Sequence, residues 1–194
     1  MVLVTVAATG FLSAACEKQT PTTEQLHVQN AQVSQQALTN QLAADPLVQE
    51  FILANEKFLT AYDVWYKGLT AEQQAAHEAA VKQAAEGKQV LPDAFRSPAK
   101  VQAHHDVQSK IALSIKAKYP AFFALSQEDR TNAESHIYDR VMAQAGMPDQ
   151  LENMCHAFYS SCSFYGYTSG GGQQTQDACY AGYRACMGSA EEAN

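Results

Sequence analysis

Apolar residues recur along this chain at helical spacing and seldom alternate with polar ones, a pattern that predicts an all-α fold. The Gln-rich stretch 25–43, with Leu26, Val33, Leu38 and Leu42 thinly spaced, reads as a first helix. Asp45-Pro46 then supplies an N-cap and a proline at the first helical position. Leu47, Phe51, Phe58, Tyr62 and Trp65 follow at intervals of four, seven, four and three, with Ile52, Leu59 and Tyr66 beside them. This is the widest apolar stripe and the main core candidate. Gly68 ends it. Thr70-Ala-Glu-Gln73 has the form of a capping box. The helix it opens, 71–86, is rich in Ala and Gln, with Val81 its one large aliphatic residue. Such a helix forms by propensity but has little to bury, so it is expected at the periphery. Gly87 stops it, and 88–96, containing Leu91-Pro92-Asp93, reads as a loop.

Ser97-Pro98 starts a further helix reaching Lys118, with Val101, His104, Val107, Ile111 and Ile115 on one side. Tyr119-Pro120 breaks it, and Phe122, Phe123 and Leu125 form an apolar knot. Ser126 caps the next helix, with Ala133, Ile137, Val141 and Ala145 expected inward and Gly146 as terminator.

From Pro148-Asp149 onward the pattern changes. Cys155-His-Ala-Phe-Tyr-Ser-Ser-Cys162 and Cys179-Tyr-Ala-Gly-Tyr-Arg-Ala-Cys186 each hold two cysteines seven apart. That is two helical turns, so both thiols of a pair share a face. Leu151, Phe158 and Tyr165 fall on the same rhythm as Cys155 and Cys162, which predicts an apolar stripe carrying the thiols. Gly166-Tyr-Thr-Ser-Gly-Gly-Gly172 can reverse the chain. A bridge within one pair would have to close about 10 Å of helix to below about 7 Å. An antiparallel hairpin therefore favours Cys155–Cys186 with Cys162–Cys179, the crossed alternative needing parallel helices. Gly182, midway between two cysteines, would let the backbones approach. Zinc is a poor match, since its ligand pairs stand two to four residues apart. The resulting architecture is an irregular helical bundle over 25–146 and a disulfide-linked helical hairpin over 147–190, followed by a tail, 191–194.

The first sixteen residues add a location. Val2 to Leu12 is apolar but too short to span a bilayer, and suits a signal peptide over 1–15. Ser13-Ala14-Ala15-Cys16 resembles the lipobox of bacterial lipoproteins, with Leu at position 12 and no Lys or Arg directly after Met1. The resemblance implies that Cys16 becomes the first mature residue, carries a lipid and anchors the chain to a membrane. Five cysteines leave one over when four are bridged, and the odd one stands where the lipid would be attached. Residues 17–24 then read as a polar tether. Taken together, these features predict an extracytoplasmic, membrane-anchored protein of the periplasm or cell surface.

Charge and motifs narrow the chemistry without naming it. A net charge of -7 argues against nucleic acid as a partner. The one basic stretch, with Arg96, Lys100, Lys110, Lys116 and Lys118 against Asp106, reads as a solvated helix face, with an anionic contact as the alternative. Glu24-Gln-Leu-His27 lacks the second copy that a di-iron bundle needs. His104 and His105 point about 100° apart on a helix and do not share one ion; His104 reads as half-buried and His105 as a surface residue. Glu128-Asp129 serves a helix start. No nucleophile elbow, phosphate loop or dinucleotide fingerprint occurs, so no catalytic residue, cofactor or metal ligand is assigned. Phe158, Tyr159, Phe164, Tyr165, Tyr167, Tyr180 and Tyr183 crowd the hairpin and must pack on the bundle or form a recognition surface. The leading expectation is a non-enzymatic binding or scaffold module with a protein partner. The alternatives are a precursor that releases a disulfide-stapled C-terminal peptide near Gly146-Met147-Pro148, and an enzyme whose site would gather His104, His136 and an acid.

Overall fold

The computed structural model describes residues 34–86, 98–147 and 151–192, and these are helices joined by short turns. Helix α1 occupies 34–43, followed by α2 (Pro46–Lys67), α3 (Ala71–Ala85), α4 (Pro98–Lys118), the short α5 (Pro120–Phe123), α6 (Gln127–Gln144), α7 (Leu151–Ser169) and α8 (Gly172–Glu192). The signal-peptide and lipobox readings with Cys16, the tether, Glu24 to His27, the loop 88–96 and the Pro148-Asp149 start lie outside the described residues. Among the described residues no helix is long and apolar enough to cross a membrane.

Local chemistry sets the boundaries. The Asp45 carboxylate accepts the Leu47 N–H at 2.8 Å, and Pro46 follows at the first helical position. Asp45 does more than cap α2. It also accepts hydrogen bonds from Lys118 and Tyr119 at the far end of α4. Burial pulls the Asp45 carboxyl up, but these donors outweigh it and hold it below its ordinary value. The capping box at Thr70 and Gln73 closes in both directions, at 3.3 and 2.9 Å. Ser126 accepts from the Asp129 N–H at 3.1 Å and starts α6. Gly146 ends α6 at φ 71°, with Gly146 N–H on Ala143 O and Met147 N–H on Met142 O, the paired bonds of a Schellman motif.

Two cores share α2 as their spine. The first joins Leu42, Phe51, Ile52, Ile111, Ile115, Phe122, Ile137 and Val141 from α1, α2, α4, α5 and α6. The second joins Leu59 and Tyr62 of α2, Val81 and Ala84 of α3, and Cys155, Tyr159, Cys179, Tyr180, Tyr183 and Met187 of the last two helices. Leu59 is wholly buried. Leu59→Ala is expected to cost about 2–5 kcal/mol, measured as a fall in the urea midpoint at unchanged slope.

Several inward faces differ from the sequence reading. Helix α3 is not peripheral: it packs along α8, burying His77, Ala80, Val81 and Ala84. Its alanines are the reason, since small side chains let two helices approach without large apolar residues on both. On α4, Val107 is half exposed and Gln108 takes the buried position, its amide donating to Phe51 O at 3.4 Å. Ala145 is exposed as the C-cap of α6, while Tyr138 and Met142 turn inward. On α7 the apolar stripe is rotated: Cys155, His156, Tyr159, Ser160 and Ser163 are buried, whereas Phe158 and Tyr165 face outward.

The hairpin carries the disulfide pairing derived from spacing. Cys155 is bonded to Cys186 and Cys162 to Cys179, each pair with Cα atoms 5.5 Å apart. Nested bridges across a turn make α7 and α8 antiparallel. The turn is shorter than the glycine-rich stretch suggested, because α7 runs through to Ser169 and α8 begins at Gly172. Gly170 lies at φ 77°, the left-handed region that glycine enters without strain. Gly182 does provide room, but the space is filled by a ring. A Cβ there would lie 2.6 Å from Phe158 Cε1.

Candidate functional site

The densest polar chemistry is buried where the hairpin meets α2. His156, on α7, is held between two carboxylates that stand seven residues apart on α2. Its Nδ1 lies 2.7 Å from Glu56 Oε1, and its Nε2 lies 3.5 Å from Asp63 Oδ2. Tyr138 of α6 donates to Glu56 Oε2 at 2.9 Å. Tyr183 of α8 donates to Asp63 at 2.6 and 2.7 Å, and its oxygen is 3.2 Å from His156 Nε2. Burial alone would disfavour the imidazolium, but the hydrogen bonds to Asp63 and Glu56 raise its pKa to about 9. At neutral pH both ring nitrogens donate, and every polar atom around the ring has a partner. Four helices are joined by one cation.

A second charged contact docks α3. Arg184, on α8, is buried and bonds Glu78 through Nε at 2.9 Å. Its guanidinium lies 3.8 Å from the centroid of the Tyr66 ring, a stacking geometry that suits Arg and not Lys. Nearby, Tyr62 Oη is 2.8 Å from His77 Nε2, and burial lowers the pKa of His77. Neither cluster presents an accessible nucleophile or a substrate cleft. Both fasten helices.

The sequence-singled histidines go elsewhere. His104 is half-buried as expected, stacked on Phe58 with centroids 4.4 Å apart, and its Nε2 is 3.2 Å from Asn55 Oδ1. Burial, with His105 adjacent, lowers its pKa to about 4. His105 is not a surface residue: it is half-buried and hydrogen-bonds the Tyr167 hydroxyl. His136 is exposed on α6, beside Asp139, Arg140 and the α1 residues Gln35, Thr39 and Asn40. The structure thus does not bring His104, His136 and an acid together. Among the described residues no group of three or more His, Cys, Asp or Glu side chains could hold a metal ion. In the basic stretch, Lys116 donates to Thr168 O at 2.6 Å and Lys118 to Asp45, so two of its charges tie α4 to α7 and α2.

Between α6 and α7 lies a groove of about 530 Å3, flanked by Met154, Phe158 and Tyr165 on α7 and by Arg130, Glu134 and Asp139 on α6. Met154, Phe158 and Tyr165 are 66%, 47% and 57% exposed, although two of them were expected on the buried stripe. Arg130 stands over the Tyr165 ring at 6.0 Å. The other hairpin aromatics pack inward: Tyr159, Tyr180 and Tyr183 are buried, and Phe164 and Tyr167 lie edge-on to Phe51.

Sequence reasoning missed Glu56 and His156. The available signal was a pair of acids two turns apart, Glu56 and Asp63, on the flank of the most apolar helix, since buried carboxylates require a cation. Compared with known proteins, the chain matches no family model, no curated protein and no solved structure.

Proposed function

We propose that this chain is an exported, lipid-anchored helical protein acting as a non-enzymatic binding or scaffold module of a cell envelope, with a protein partner seated at the α6–α7 face. The observation that carries the reading is the exposed row Met154, Phe158 and Tyr165 beside the groove. Large aromatic and Met side chains are costly to leave in water and are enriched where partners bind. The hairpin that bears them is fixed by two disulfides and by the His156 cluster, so the surface is preorganised. Disulfides persist in oxidising compartments, in keeping with export and with a lipid on Cys16. Release of a C-terminal peptide is the weaker alternative, because separation from Met147 onward would strip Tyr183 and His156 from Asp63 and Glu56.

The test is photo-crosslinking in the native envelope with benzoylphenylalanine at position 158 and, as a control, at exposed Lys57 on α2. A discrete protein adduct from 158 and none from 57 is expected. Equal labelling from both, or none from either, would overturn the reading. The mass of the mature protein checks the anchor: it should lack residues 1–15, carry acyl mass on Cys16, and gain four hydrogens on reduction of its two bridges.

A further inference from the structure

Below the α6–α7 groove the first core holds a cavity of about 60 Å3, walled by Phe51, Ile52, Ile137 and Phe164. Glu134, Ala157 and Ser161 border both spaces, so the cavity opens at the floor of the groove. Natural interiors are packed without such voids as a rule, and this one has an unusual wall. Ser160 lines it, is 4% exposed, and its hydroxyl has no hydrogen-bond partner within the protein. Helical Ser and Thr commonly return their hydroxyl to the carbonyl four residues back, as Thr39, Thr60, Ser114, Thr131 and Thr168 do here. Ser160 does not. Its neighbour Ser161 is already committed, donating to Glu134.

The geometry points to a binding site for the end of a linear, uncharged chain bearing one hydroxyl or carbonyl group, which bonds Ser160 while its carbons fill the cavity. Size excludes rings: a cavity that admits benzene measures about 150 Å3, well above the about 60 Å3 here. Charge excludes anions. The other polar residues of the wall, Glu134, Tyr138 and Ser161, are already hydrogen-bonded, and an anion there would meet the Glu134 carboxylate with no counterion. A carboxylate would also pass Glu134 at the mouth. A bound water is the competing occupant: it needs two to four polar partners, and beside Ser160 the wall offers Ser161 and Glu134, which already bond each other. Carbons beyond the cavity would lie along Ala157 and Phe158. The site does not depend on a protein partner at the groove.

Primary alcohols from propanol to octanol, titrated onto the full chain and followed by NMR of the Ile52 and Ile137 methyl groups, test the assignment. Saturable shifts are expected, tightening by about fourfold for each added methylene until the chain leaves apolar surface. Ser160→Val should reduce the preference for an alcohol over the 1-chloroalkane of equal length by about fivefold. Ala157→Phe, which plugs the mouth, should abolish binding while the protein keeps both bridges and its melting transition. Should the plugged variant fail to fold, the chain-length series and Ser160→Val decide. Linear, non-saturating shifts, an unchanged alcohol preference in Ser160→Val, or a cross-peak to a trapped water with no alcohol binding would overturn the site. Loss of the crosslink at position 158 would leave it standing.

Discussion

Replacing His156 with alanine is expected to destabilise the fold by about 3–5 kcal/mol, the cost of removing one member of a buried ion pair. Two carboxylates, Glu56 and Asp63, would then face each other without their cation. For a chain of this length such a loss lowers the thermal midpoint by about 10 °C. Adding Glu56→Gln to His156→Ala should recover part of it, because one stranded charge is removed. A melt of His156→Ala that matches the parent would show that the cluster holds nothing together. The same group gives the pH profile its direction. The folded-state pKa of His156 is raised to about 9 from an ordinary value of 6.5. Its stabilisation is therefore fully present below about pH 6.5 and is lost as pH rises through about 9, amounting to about 3 kcal/mol. His104 works in the opposite sense. Its folded pKa is lowered to about 4, so its contribution is present above about pH 6.5 and lost as pH falls toward 4. Stability should peak near pH 6.5, and the alkaline limb should flatten in His156→Ala. Urea titrations at stepped pH measure both limbs.

Removing the bridges should have effects of similar size. The Cys155–Cys186 bridge closes a separation of 31 residues and Cys162–Cys179 one of 17. Loop-closure entropy values these at about 4 and about 3 kcal/mol respectively. The paired variant Cys155→Ser/Cys186→Ser is expected to lose slightly more than Cys162→Ser/Cys179→Ser, read from urea midpoints under non-reducing conditions. Cys155 and Cys179 are buried, so Ser at those positions adds the cost of a hydroxyl in apolar surroundings. Ala in place of Ser at 155 and 179 separates the two terms. Equal stability with and without reductant would contradict the hairpin.

The features written locally in the chain were legible in it. Asp45-Pro46, Thr70 with Gln73, Ser126 and Gly146 mark helix ends because a cap needs only neighbours within one turn. The disulfide pairing was legible for a related reason: helix rise forbids closure within a pair, and one hairpin leaves one sensible answer. What failed was the choice of inward face. Periodicity finds an apolar stripe but not the partner that covers it, so α7 was rotated from Cys155, Phe158 and Tyr165 to Cys155, His156 and Tyr159. Val107 and Gln108 exchanged places for the same reason. His156 stayed hidden because its partners sit 100 and 93 positions away on α2, and a polar residue is buried only where such a partner exists. The groove was hidden too, since Phe158 and Tyr165 look like core residues until α6 and α8 are placed.

The nesting of the two bridges has one more outcome. Both lie on the same side of the Gly170–Gly171 turn, the smaller ring inside the larger. A protease that severs the backbone at that tip frees no peptide, because each fragment stays covalently attached at two points. The molecule can be nicked at this exposed turn and still present Met154, Phe158 and Tyr165 in register.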